Sequence, residues 1–76
     1  MTSSEAPSIW TVYDHPRDYP AKFVARRTAI HAGAACPTND MFVADNIHEL
    51  RLLLPPGLYR LPRHPKDDPV ILEVWL

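Results

Sequence analysis

The chain has 76 residues, a formal net charge of −1, 46% hydrophobic residues, nine prolines, two glycines and one cysteine. That length makes a single domain with a modest core, hiding about 60% of its unfolded surface for a net stability of ~3–5 kcal/mol. A lone cysteine excludes a disulfide framework, near-zero charge excludes long-range steering to nucleic acid or an anionic membrane, and no apolar run reaches the ~20 residues of a spanning helix.

Residues 1–8 have neither the basic start nor the apolar run of a secretory signal and read as a disordered leader ahead of one domain over 9–76. Ile9 to Tyr13 is aromatic and β-branched, a strand closed by Asp14-His15-Pro16. Arg17 to Ala21 is a proline-punctuated connection. Lys22 to Ile30 is a second strand, residues 31–40 a long loop, and Met41 to Ala44 a short third strand.

Asn46 with Glu49 three residues on has the form of a capping box. Ile47, Leu50 and Leu54 then recur at helical spacing as one apolar stripe, until Pro55-Pro56-Gly57 ends the helix after two to two-and-a-half turns. Leu58 to Leu61 is a fourth strand, which Pro62 confines to an edge or ends. Arg63 to Pro69 is a charged turn into Val70-Ile71-Leu72-Glu73-Val74-Trp75-Leu76, the most apolar stretch of the chain. Such a segment is expected inside a sheet. The expected fold is therefore α+β, a small mainly antiparallel sheet of four to five strands with one short helix, in the order β-β-β-α-β-β.

A helix of ~9 residues is ~14 Å long, whereas four or five strands make a sheet roughly 19–24 Å wide. One such helix leaves part of one face and all of the other uncovered. The last strand is apolar on both sides, which calls for cover on both. If the helix lies over Leu72 and Val74, then Trp75, Ile71 and Glu73 fall on the unprotected face. Trp75, Ile71, Tyr13 and Tyr59 are accordingly candidate partner contacts. Arg26 and Arg27 alternate to opposite faces, where each either pairs with a carboxylate or meets a partner.

His15-Pro16-Arg17-Asp18-Tyr19-Pro20 echoes His64-Pro65-Lys66-Asp67-Asp68-Pro69. If the two turns converge, their imidazoles and carboxylates suit a metal or acid–base chemistry. The simpler expectation is turn-building, with proline fixing φ and aspartate accepting from backbone amides. Cys36 has only Ala35 and Pro37 beside it and nothing local to activate it. His48 is expected to be solvated in the first helical turn. No catalytic, metal or cofactor site is expected.

Trp10-Thr11-Val12-Tyr13-Asp14-His15-Pro16, Phe23-Val24-Ala25-Arg26-Arg27, Leu53-Leu54-Pro55-Pro56-Gly57-Leu58 and the stretch from Asp67 to Leu76 resemble small uncharacterised bacterial proteins of similar length. The resemblance covers about residues 9–76. It implies a bacterial source, with a prophage or mobile element as one origin, and brings no activity or site with it.

The functional expectation is a small cytoplasmic, non-enzymatic interaction module, self-associating or binding another protein through an uncovered sheet face. The alternatives are a nucleic-acid-binding accessory protein, disfavoured by charge, and a small metal or acid–base enzyme at the paired His-Pro turns.

Overall fold

The computed structural model describes residues 7–76. Five strands and one helix follow one another as β1 (Ser8–Asp14), β2 (Phe23–His31), β3 (Ala34–Ala44), α1 (Ile47–Leu53), β4 (Arg60–Pro62) and β5 (Ile71–Trp75). They form one antiparallel sheet in the order β3-β2-β1-β5-β4, so the fold is α+β. The apolar last strand lies inside the sheet, between β1 and β4.

The expected leader ends earlier than residue 8. Ser8 already pairs with Ala29, and the Pro7 carbonyl accepts from the Ile30 amide at 2.8 Å. The remainder of the expected leader, residues 1–6, lies outside the described residues.

The largest correction concerns residues 31–40. They are not a loop but a hairpin turn and the first half of β3, paired with β2 as His31↔Ala34, Ile30↔Ala35, Ala29↔Cys36 and Thr28↔Pro37. Ala32 (φ 50°) and Gly33 (φ 78°) make the turn in the left-handed conformation that two-residue hairpin loops require. Pro37 is tolerated because β3 is an edge strand. Between Arg26↔Met41 and Thr28↔Pro37 the register slips. There the Thr38 hydroxyl donates to the Arg27 carbonyl (2.8 Å) and accepts from the Asp40 amide (3.1 Å), securing the bulge.

The helix begins where the capping signal places it, with the Asn46 side chain accepting from the Glu49 amide at 2.9 Å. Its stripe faces the sheet: Leu50 and Leu54 are buried and Ile47 packs beside them. The core on this face comprises Trp10, Val12, Ala25, Ala44, Leu50 and Leu54, with the Trp10 and Phe42 rings stacked at 5.0 Å. Seven helical residues span ~10 Å, whereas the eleven residues of β3 span ~36 Å. The helix therefore covers only a fraction of one face.

Candidate interaction surface

Cross-strand partners share a face, so the registers assign each candidate residue to one. Trp10, Val12, Ala25, Arg27, Glu73 and Trp75 lie on the helix side. Tyr13, Val24, Arg26, Met41, Val43, Ile71 and Val74 lie on the opposite side, where no helix packs.

Trp75 thus sits on the face opposite to the one expected. It packs against the helix-side core, and its Nε1–H donates to Glu73 at 2.7 Å. Period-2 alternation would keep Ile71 with Glu73 and Trp75. A β-bulge separates them, because Val12 pairs with Glu73 while Tyr13 pairs with Ile71, leaving Leu72 as the extra residue. Leu72 also packs against the helix-side core. Which side the helix takes is settled by Arg51 of α1, which reaches Glu73 through two bonds of 3.0 and 2.7 Å.

Of the other candidates, Tyr13, Ile71 and Arg26 lie together on the uncovered face. Tyr59 lies just outside β4, exchanging backbone bonds with Leu76 at 2.9 Å each way, and is 81% exposed. Arg27 lies on the helix side, bonded to Asp40 (2.6 Å) and Ser8 Oγ (2.8 Å). The two arginines do point to opposite faces, and each takes an aspartate: Arg26 pairs with Asp18.

Among the described residues, the connection after β1 covers part of the face opposite the helix, and Asp68 and Val70 border the same cavity as Tyr13 and Arg26. Val24 is fully buried there, and Pro16 is the buried residue of that connection. The bonds Tyr19 N–H to Pro16 C=O (2.9 Å) and Lys22 N–H to Tyr19 C=O (3.1 Å) fold the segment back on itself. Residues 34–40, being part of β3, are committed to the sheet. Ile9, Thr11, Thr28, Met41, Val43, Ile71 and Val74 stay only half-buried.

The two His-Pro turns lie at the same end of the sheet, where Pro16, Asp18 and Asp68 border one cavity of about 460 Å³. The histidines do not line it. The His15 ring bonds Asp14 and meets Phe23 edge-on at 4.9 Å. His64 Nδ1 accepts from the Lys66 amide at 3.1 Å. Asp67 accepts from the His64 amide and Asp68 from the Val70 amide, both at 3.0 Å. Among the described residues, no group of three or more His, Cys, Asp or Glu side chains could hold a metal. Cys36 is half-buried on β3.

Glu73 is the buried charged residue of the sheet, and no sequence motif marks it. Burial opposes its ionisation, but hydrogen bonds from Arg51 and Trp75 and the charges of Arg51 and Arg60 outweigh that, holding its carboxyl below the usual value. The bond to Glu73 raises the Arg51 guanidinium in turn, against a smaller opposing effect of burial. The cluster ties α1 to β5 on the helix side.

No helix of the described residues is long and apolar enough to cross a membrane. No protein-family model, no curated protein and no solved structure matches this chain.

Proposed function

We propose that this chain is a small non-enzymatic protein-interaction module that binds through the sheet face opposite α1. The observation that carries the proposal is the imbalance of cover. A seven-residue helix and most of the core lie on one side, while Tyr13, Met41, Val43, Ile71 and Val74 line the other, where among the described residues the connection after β1 and the turn at Asp68 border part of it. Half-buried apolar residues on one sheet face have the composition of an interface core, and Arg26 and Tyr13 are residue types enriched in such interfaces.

A binding role is favoured over chemistry by what the polar groups already do. Asp67 and Asp68 hold turn amides, and Asp18, Asp40, Asp45 and Glu73 pair with basic side chains. Those pairs also occupy Lys22, Arg26, Arg27 and Arg51, which argues against a free basic patch for nucleic acid. The lone Cys36 thiol fits a reducing, cytoplasmic setting, and the resemblance to small bacterial proteins supports a bacterial source.

The test is site-specific photocrosslinking in the native host. A photoreactive residue at Tyr13 or Ile71 is expected to trap protein adducts, and the same residue at Glu49, exposed on the helix, is expected to trap none. Equal yields from both faces would overturn the proposal.

A further inference from the structure

We infer that two copies of this chain join edge to edge along Met41–Val43 of β3 in a two-fold dimer with a continuous ten-stranded sheet. The inference rests on the proposed interaction role and sets the width of its binding face, because the dimer places two such faces side by side.

The open hydrogen-bonding groups follow from the ladder. His15 N–H bonds Lys22 C=O and Ile30 N–H bonds Pro7 C=O, so the even-numbered residues of β2 face β1 and the odd-numbered ones face β3. Through Phe23↔Ala44 and Ala25↔Phe42, the backbone groups of Phe42 and Ala44 turn inward. Those of Met41 and Val43 turn outward, and they have no hydrogen-bond partner among the described residues.

The other stretches of sheet edge among the described residues offer less. The first half of β3 carries Pro37 at an outward-facing position, and the bulge at residues 38–40 follows. The opposite edge, β4, is three residues long and includes Pro62. By the Tyr59–Leu76 exchange, Leu61 faces β5 while Arg60 and Pro62 face outward, so Pro62 presents no donor there. Among the described residues, Met41-Phe42-Val43 offers two outward-facing residues with no proline, bulge or lysine, whereas Ala34–Cys36 offers the outward groups of Ala35 alone.

An antiparallel copy centred on Phe42 places Met41 opposite the partner's Val43, and Val43 opposite the partner's Met41. Two such pairs exchange four backbone hydrogen bonds. The flanking carboxylates do not repel across the axis, because Asp40 is paired with Arg27 and Asp45 with Lys22. Met41 and Val43 lie on the uncovered face, so pairing joins two such faces into one. With a single competent edge per chain, the contact is isologous and closes as a dimer, not a filament.

The full chain is studied by light scattering and amide exchange from micromolar to millimolar concentration. The apparent mass is expected to rise from 8.7 kDa toward twice that value. Exchange at the Met41 and Val43 amides is expected to slow about tenfold or more with concentration, while the outward amide of Ala35 is unaffected. Met41→Pro removes an amide the internal ladder does not use and is expected to stay at 8.7 kDa, whereas Met41→Ala dimerises. If Met41→Pro does not fold, the exchange pattern of the unaltered chain decides.

A mass of 8.7 kDa at millimolar concentration overturns the inference. So does growth beyond a dimer, or a dimer whose Met41 and Val43 amides exchange at the monomer's rate. These results leave the interaction role standing, because that role fails only by equal crosslinking from Tyr13 and Glu49.

Discussion

Arg51 and Glu73 form a two-pronged bond between the only helix of the described residues and the last strand, Nε to Oε2 at 3.0 Å and an Nη to Oε1 at 2.7 Å. The Glu73 side chain is 4% exposed and that of Arg51 32%, so the pair plugs one end of the core. Arg60 approaches the same carboxylate at 3.6 Å, and Trp75 donates to it. Removing one partner of such a pair is far more damaging than removing the charge, because it strands a buried ion.

Arg51→Ala is therefore expected to cost about 3 kcal/mol, the low end for a broken buried pair, since Arg60 and Trp75 still reach Glu73. Adding Glu73→Gln to that variant removes the stranded charge and keeps an acceptor for Trp75. The double variant is expected to recover about 1–2 kcal/mol in urea titration. A double variant less stable than Arg51→Ala alone would mean that Glu73 is stabilised chiefly by Arg60 and Trp75.

The same pair gives the fold an acid limit. The Glu73 carboxyl is held below its ordinary 4.5, so the unfolded chain binds the proton more readily than the folded one. Its contribution is complete above about 4.5, the unfolded value, and is lost as pH falls through the lower folded value. Urea midpoints from pH 7 to pH 3 are expected to fall more steeply for the natural chain than for Glu73→Gln. Parallel curves would show that other carboxylates account for the acid sensitivity.

Leu50 is fully buried where α1 meets the sheet. Leu50→Ala is expected to cost about 2–5 kcal/mol, enough to exhaust a domain this small. A loss under about 1 kcal/mol would mean that the helix is not anchored by its stripe.

The helix was legible because three signals agreed: the Asn46 cap, the stripe of Ile47, Leu50 and Leu54, and the Pro55-Pro56-Gly57 stop. The interior position of β5 followed from composition alone. The first half of β3 was hidden because its turn is Ala32-Gly33, not the Asn-Gly or Asp-Gly that announces a two-residue hairpin, and because Ala34, Ala35 and Pro37 have little strand character. The candidate surface was half legible. Alternation placed Arg26 and Arg27 on opposite faces, but it carries no information on which face the helix takes, and the bulge at Leu72 breaks its phase.

That concealed turn carries strain. Ala32 holds φ at 50°, where a Cβ is penalised by roughly 1–2 kcal/mol. Ala32→Asn tolerates the conformation without the unfolded-state freedom of glycine and is expected to add about 0.5–1 kcal/mol, a rise of a few degrees in Tm. An unchanged or lowered Tm would place the turn in another conformation in solution.

Trp75 separates the folding role from the binding role. Its ring packs with the core on the helix side, its Nε1–H satisfies Glu73, and its strand lies between β1 and β4. Trp75→Ala removes a large aromatic from that packing and a donor from a buried carboxylate, an expected loss of about 3–5 kcal/mol. Trp75→Phe keeps most of the ring area, loses only the donor and is expected to cost about 1–2 kcal/mol. Neither change touches Tyr13, Ile71, Met41 or Val43, so whatever fraction of Trp75→Phe stays folded is expected to associate as the natural chain does. Melting temperature and apparent mass, measured on the same samples, check both statements. A Trp75→Phe chain that keeps its melting temperature and loses its partner would move the binding surface to the helix side of the sheet.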